Sequence, residues 1–439
     1  MKHQYLKKFY QKTQAEKIQA LVAAEVISKN TAQKLQNQDI HLPETVADQM
    51  TENYITNFEL PLGVAMNFIV NNQPYVLPMV TEEPSVIAAA SYAGKIIGKN
   101  GGFQTTVSAD LMIGQLAFFD VPDMERAQQA VIQHEATIIE KAQAAHPSIV
   151  RRGGGARAVK VRPLAADPTL NTPAILTVHL LIDTQEAMGA NIVNTMLEGV
   201  APYVETLVGA PATLAILSNY ATEALVTARC QIEPDVLTKG EFAGDEVRDQ
   251  IVKASQLATV DPYRAVTHNK GIMNGVTALI TATGNDTRAV EAAAHAYAAR
   301  SGQYRGLATW KAAKSGALIG ELTLPLALGT VGGTINSQPL VQLAHEILDD
   351  PTAQELAQLV AALGLGQNFS ALYALVTEGI QKGHMSLQAK SLALSVGARP
   401  EEVPAVVASL KKAGTIDTET AKKCLAEIRA AEKTDEPKE

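Results

Sequence analysis

Five short clusters hold the side chains best able to do chemistry in this sequence. Glu82-Glu83-Pro84-Ser85 stands at a helix start, where acidic groups ordinarily do no more than offset the helix dipole. A carboxylate kept dry at such a start would have a raised pKa and could donate a proton. Asp261-Pro262-Tyr263-Arg264 continues into Thr267-His268-Asn269-Lys270-Gly271-Ile272-Met273-Asn274-Gly275, read as a polar loop between apolar segments. Such a loop is either solvated or a meeting place for an anion, since Arg and Lys supply donors and the glycines let backbone come close. Ala282-Thr283-Gly284-Asn285-Asp286 has the composition of a helix cap. Met188-Gly189-Ala190-Asn191 follows an apolar strand and opens a helix, whose free N–H groups can hold a phosphate. Gly383-His384-Met385-Ser386 offers one histidine, a group that titrates near neutral pH but more often serves structure.

Several familiar catalytic arrangements are missing. The chain has no G-x-G-x-x-G fingerprint, no G-x-x-x-x-G-K-[ST] loop, no G-x-S-x-G elbow and no H-E-x-x-H pair. A Rossmann dinucleotide site, a P-loop nucleotidase, a serine hydrolase and a zinc peptidase lose their ground, and no metal site is expected. With 439 residues, 46% hydrophobic and 19% charged, the chain can bury the cores of two or three domains. Lys and Arg number 37 against 45 Asp and Glu, and the net charge of −8 argues against nucleic acid or a membrane surface as partner. Cys230 and Cys424 fit neither a zinc spacing nor a disulfide framework, which points to a reducing compartment. The Lys-rich start leads into Ile18–Ser28, which is interrupted by Glu25 and lacks a cleavage pattern. The charge-free stretches Leu60–Thr81 and Leu322–Ala344 contain Pro, Gly, Asn or Gln where a membrane span needs an apolar run. A cytoplasmic protein without a membrane anchor is expected.

The elements that must position these clusters follow from periodicity and breakers. Ala15–Gln36 has helical spacing through Ile18, Leu21, Val22 and Ile27. Glu59–Val80 reads as extended chain punctuated by Pro61, Gly63 and Pro74, and an Ala-rich helix follows Pro84. Between Met112 and Ser218 the order becomes regular. Strand Ile113–Phe119 and helix Pro122–Ala145 precede a turn at Gly153-Gly154-Gly155; strands Arg157–Arg162 and Ala174–Asp183, helix Ala187–Val208 and strand Thr213–Ser218 follow. That β-α-β-β-α-β succession is the ferredoxin-like arrangement, here inserted into a larger unit. Beyond it come a helix at Asn285–Arg300, a Gly-rich stretch Gly329–Gly333, a helix around Leu340–Leu348 and three short helices broken at Gly397/Pro400 and Gly414. The expected fold class is α+β, with a large mixed domain over 1–110 and 219–376, an inserted small domain over 111–218, a helical segment over 377–429 and a charged tail over 430–439.

Taken in their order along the chain, Glu82-Glu83-Pro84-Ser85, Ala187-Met188-Gly189-Ala190-Asn191, Thr267-His268-Asn269-Lys270-Gly271, Thr283-Gly284-Asn285-Asp286 and Gly383-His384-Met385-Ser386 resemble the motifs of HMG-CoA reductase. The whole chain resembles the soluble bacterial class, class II, of that family. The resemblance implies reduction of 3-hydroxy-3-methylglutaryl-CoA (HMG-CoA) to mevalonate and CoA by two reduced nicotinamide cofactors. It implies a catalytic set of Glu83, Lys270, Asp286 and His384. In that set Lys270 stabilises the oxyanion formed on the thioester carbonyl, His384 protonates the departing CoA thiolate, and Glu83 supplies a proton to the mevaldehyde carbonyl. Asp286 is expected beside Lys270, tuning it and Glu83. Arg264 and Ser85 fall on the family's carboxylate-binding contacts, with Asn219 and Asn274 as polar neighbours. The small domain matches the family's non-Rossmann cofactor domain, in which Glu186, Met188, Gly189 and Asn191 would meet the dinucleotide, and 377–429 matches its closing flap. Each active site in the family is built from two subunits, so a homodimer or higher homo-oligomer is expected.

The chain departs from the family pattern twice. D-A-M-G-x-N begins with Glu186, which keeps the carboxylate, and E-N-x-x-G reads Glu52-Asn53-Tyr54-Ile55-Thr56. NADPH is the expected reductant, with NADH as the alternative. Where the NAD-using branch has an acidic residue this chain has His146, with Arg151 and Arg152 close by, and these would attract a 2′-phosphate. The competing readings are the oxidative direction with NAD and a catalytically silent CoA- or nucleotide-binding regulator. A pure binding module has no need of an acid and a base together, which disfavours the regulator.

Overall fold

The computed structural model describes residues 6–333, 335–379 and 389–434. The chain opens with helices α1 (Gln14–Ala23), α2 (Lys29–Gln36) and α3 (Glu44–Met50), then the hairpin β1 (Leu62–Val70) and β2 (Gln73–Val80), helix α4 (Pro84–Gly98) and strand β3 (Phe103–Val107). Ala15–Gln36 is therefore not one helix. Glu25 takes a positive φ of 57° and Ser28 starts α2 by accepting the Thr31 N–H. Next come β4 (Met112–Phe118), α5 (Met124–Gln133), α6 (Glu135–Ala145), α7 (Pro147–Arg151), β5 (Gly155–Leu164), β6 (Ile175–Asp183), α8 (Ala190–Val208) and β7 (Ala212–Ser218). The expected helix Pro122–Ala145 is two helices: Asp123 caps the first through the Arg126 N–H, and His134 leaves helical geometry between them. The chain continues through β8 (Leu225–Ile232), α9 (Pro234–Leu237), α10 (Gly244–Val260), α11 (Pro262–Ala282), α12 (Thr287–Ala298), β9 (Ala308–Ala312), β10 (Leu318–Pro325), α13 (Pro339–Ile347) and α14 (Ala353–Val376). Helix α15 over 389–395, α16 (Val403–Ala413) and α17 (Thr418–Thr434) share a core of their own, including Ala393, Val406, Leu410 and Leu425.

Two sheets organise the molecule. The larger has six strands in the order β2-β1-β3-β8-β10-β9, and the smaller has four in the order β5-β6-β4-β7. Every pair in the smaller sheet is antiparallel. Its helices cover one face, burying Leu116, Phe118, Leu176, Val178, Leu197 and Val204 together. Side chains alternate across a strand, so the other face receives Gln115, Lys160, Arg162 and His179.

The centre of the molecule is α14, an element the sequence reading did not find. A capping box of Thr352 and Glu355 starts it, and nearly every later side chain is buried. A helix apolar on all sides shows no stripe, so periodicity gave no sign of it. Among the described residues it is the one helix long and apolar enough to cross a membrane, and 78% of that apolar window is buried inside the protein. It packs against α4, α11 and the large sheet. A Cβ at Gly364 would stand 3.0 Å from both Leu322 and Val276, so this glycine sets how closely the helix and its neighbours approach. Ser370 Oγ donates to the Ala89 carbonyl at 2.7 Å and ties α14 to α4.

The polar run 261–275, expected as a loop, is the first two-thirds of helix α11. Asp261 accepts the Tyr263 and Arg264 N–H groups and Pro262 fills the first turn, where its missing N–H costs nothing. Its polar side chains are partly core groups. Asn269 is fully buried and bonds the Arg305 carbonyl and the Leu307 N–H. His268 Nε2 lies 3.2 Å from the Ala308 carbonyl oxygen and 3.1 Å from the Asn368 amide nitrogen, while Nδ1 has no partner among the described residues. Burial, with the Arg264 charge nearby, pushes the imidazole from 6.5 down to about 4. The folded protein then binds fewer protons than the unfolded chain between those values, so stability falls as pH drops from 6.5 towards about 4. Urea unfolding checks this: between about pH 7 and about pH 5, wild type should lose more stability than His268→Gln, and equal losses would contradict it.

Candidate active site

Helix α4 starts at the Glu82-Glu83-Pro84-Ser85 cluster, but Glu83 does not cap it with its side chain. Its carboxylate accepts the Ser85 hydroxyl at 2.5 Å, and its other oxygen stands 3.9 Å from Lys270 Nζ on α11. The backbone N–H of Glu83 donates to Thr81 Oγ1 at 3.2 Å, fixing the approach to the helix. Ser85 is 5% exposed, whereas the Glu83 and Lys270 side chains are 37% and 66% exposed. Dipole compensation thus fails as the explanation of this cluster: the carboxylate faces a hydroxyl and an ammonium. The pair is not dry in the single chain, and something must cover it for its full electrostatic effect.

The rest of α11 adds donors around this pair. Asn274 stands one turn beyond Lys270, and its amide has no partner among the described residues. Arg264 is half-buried, and its guanidinium likewise has none; burial lowers its pKa from the ordinary value. A guanidinium in that condition suits a carboxylate, which can meet both ends of its fork. Gln367 on α14 was missed by sequence reasoning. It is 5% exposed, its Oε1 has no partner among the described residues, and it packs on Gly275, where a Cβ would stand only 3.2 Å from that oxygen. The available signal was a run of polar residues, Gln367-Asn368 and Ser370, in the apolar stretch that follows Gln358.

Asp286 stands where the composition of its cluster placed a helix cap. It caps α12, accepting the Arg288 N–H at 3.0 Å and the Ala289 N–H at 3.1 Å, and it faces the Arg288 guanidinium at 3.5 Å. Among the described residues no ion pair joins it to Lys270. Asn219 lines a narrow cleft with Met188 and with Ala289, Val290 and Ala293 of α12, so it belongs to the junction between the sheets. His384 lies outside the described residues.

The residues expected to meet a dinucleotide gather at the end of β6. Gly189 starts α8 at φ 90°, and a Cβ there would stand 2.2 Å from Thr184 Cγ2, so only glycine fits this turn. Thr184 Oγ1 closes the turn by donating to the Ala187 carbonyl at 2.7 Å. No side chain caps α8, which leaves its first N–H groups pointing outward beside Asn191. The Glu186 carboxylate is engaged within the protein, accepting Thr330 Oγ1 at 2.9 Å and the Ala353 N–H at 2.7 Å. His146 and Arg152 flank the short helix α7, and the following Gly154 packs so tightly that a Cβ would stand 2.6 Å from the Asp183 carbonyl oxygen. Arg152 is exposed, and its Nε donates to the Ser148 carbonyl at 3.3 Å. A glycine cradle, an open helix start and exposed cations together fit a phosphate-bearing cofactor.

Comparison with known proteins identifies the family. Residues 14–389 match the family described as hydroxymethylglutaryl-coenzyme A reductase. A 3-hydroxy-3-methylglutaryl-coenzyme A reductase from Archaeoglobus fulgidus is 44% identical over 389 residues, covering 89% of this chain and 87% of that protein. A probable reductase of the same name from Borreliella burgdorferi is 34% identical, covering 78% of this chain and 77% of its own. Among solved structures, the reductase from Streptococcus pneumoniae superposes with a TM-score of 0.82 at 46% identity, covering 96% of this chain and 99% of that one. Another structure of the class II enzyme from S. pneumoniae, bound to NADPH in open conformations, gives the same TM-score and identity over 85% of this chain. The chain belongs to the hydroxymethylglutaryl-coenzyme A reductase family.

Proposed function

We propose that this protein reduces HMG-CoA to mevalonate and CoA with two NADPH, and that Glu83 and Lys270 stand at the centre of the chemistry. The observation that carries this reading is the ion pair itself: a carboxylate oriented by a buried serine, 3.9 Å from an ammonium, on a helix that also carries a guanidinium and an amide without partners among the described residues. NADPH supplies the hydrides. The Arg264 fork holds the substrate carboxylate, the Ser85 hydroxyl turns from Glu83 to join it when the substrate enters, and Asn274 and Gln367 fix its orientation. Lys270 meets the negative charge that develops on the thioester oxygen, and Glu83, having first taken up a proton from solvent, gives it to the oxygen of the second carbonyl as that carbonyl is reduced. His384 protonates the CoA thiolate, carried in by a flap made of the C-terminal helices, and Asp286 shapes the electrostatics from the start of α12. The dinucleotide is held at the Gly189 turn and the start of α8, with Asn219 and Met188 at the junction.

Two subunits complete each site in this reading. In the single chain Ile55, Phe58 and Tyr263 are 91%, 90% and 89% exposed, and a partner subunit would cover them. Coverage by a second subunit would also remove water from the half-exposed Glu83–Lys270 pair. We place the working enzyme in the cytoplasm as a homodimer or higher homo-oligomer.

Lys270→Ala should lower turnover on the order of a hundredfold or more while HMG-CoA binding persists, since the lost group acts on the developing oxyanion. Steady-state rates beside calorimetric binding check this, and near-normal turnover in the folded variant would remove Lys270 from the mechanism. The preference for NADPH rests on Arg152 and His146. Arg152→Ala should raise the KM for NADPH by roughly tenfold and leave that for NADH nearly unchanged, as expected when a cation meets only the 2′-phosphate. A parallel rise for both cofactors would take Arg152 out of the specificity contact.

A further inference from the structure

One short segment touches both the turn that carries Asp286 and the turn that starts α8. It is Gly329–Val331, the first part of the Gly-rich stretch Gly329–Gly333 that the sequence reading treated as a separator. On one side the Asn285 amide grips Gly329 twice: Oδ1 accepts its N–H at 2.8 Å, and Nδ2 donates to its carbonyl oxygen at 3.0 Å. Longer contacts of 3.3 and 3.4 Å from the same Nδ2 reach Thr283 within its own turn. On the other side the Glu186 carbonyl accepts the Thr330 N–H at 2.8 Å and the Val331 N–H at 3.3 Å. The Glu186 carboxylate adds the Thr330 hydroxyl and the first N–H of α14. No side chain fits at Gly329, where a Cβ would stand 2.4 Å from the Met188 nitrogen.

Capping does not account for Asn285, because Asp286 already accepts the free N–H groups of α12. An amide that both donates to and accepts from one residue's backbone fixes that residue in position and in orientation, which a single bond does not. We infer that Asn285 is a positioning residue: it clamps Gly329–Val331, and through that strap holds the Glu186–Asn191 turn in register with the large sheet. The inference rests on the reading that this turn holds the dinucleotide. Loss of the clamp should then loosen cofactor binding while the Arg264–Ser85–Lys270 region, on other elements, keeps its substrate.

The test measures NADPH binding by cofactor fluorescence and HMG-CoA binding by calorimetry on the full chain, with a melting temperature for each variant. Asn285→Ala should weaken NADPH about tenfold, the effect of losing a paired hydrogen bond, and leave HMG-CoA affinity unchanged. Thr330→Val should weaken NADPH in the same direction, and Thr330→Ser, which keeps the hydroxyl, should restore it. If Asn285→Ala fails to fold, the Thr330 pair decides alone. Unchanged NADPH binding in Asn285→Ala and Thr330→Val would overturn the proposal, as would equal weakening of both ligands in step with a lower melting temperature. Gly189→Ala separates the two levels of the argument. If it spares NADPH binding, the turn is not the cofactor site and the proposal falls with that reading; if it abolishes binding while the strap variants do not, the proposal alone fails.

Discussion

Everything at the site depends on the packing of α11 against α14. A helix apolar on every side has to be enclosed, and α14 is enclosed by α4, α11 and the large sheet. The enclosure fixes the relative positions of two helices far apart in sequence, one beginning at Glu83 and the other carrying Lys270. The Ser370 bond to Ala89 and the Asn368 contact with His268 pin both helices to the same central element. Close approaches at Gly275, against Gln367, and at Gly366, against Ala93, leave little slack between α14 and either helix. A 3.9 Å ion pair between distant segments is the outcome of that enclosure.

The turn at the end of β6 sits on different foundations. Its shape comes from glycine at 189 and 154 and from the closing bond of Thr184, all within the smaller sheet. In the proposed reading, two scaffolds with separate cores, one built around Phe118 and Leu197 and the other around Phe68 and Leu363, present the two halves of the chemistry. This division suits a reaction in which a cofactor must be exchanged between two reductions while the substrate stays bound.

Much of this was legible in the residues, and the misses have physical causes. The Glu83–Ser85 start, the Gly189 turn and the regular succession of strands and helices from Met112 to Ser218 left clear marks, because Pro, Gly and period-two alternation act locally. The run from Asp261 to Gly275 was misread as a loop. Its His, Asn and Lys are polar, and only tertiary packing shows that His268 and Asn269 point into the core. Helix α14 was invisible for the opposite reason, since uniform burial erases the amphipathic stripe. Gln367 went with it: an unpaired buried amide is a property of surroundings, which sequence alone does not display. The double grip of Asn285 on Gly329 was equally hidden, because the two residues are 44 positions apart.

The central claim is that one site, centred on Glu83 and Lys270, carries out both reductions of the same acyl group. The most direct measurement is the stoichiometry of a complete reaction with limiting HMG-CoA, following NADPH absorbance and free thiol together and identifying the acyl product by mass. The account predicts two NADPH oxidised for each thiol released, with mevalonate as the product and no free aldehyde. One NADPH per thiol with mevaldehyde accumulating, or thiol release without NADPH oxidation, would contradict it.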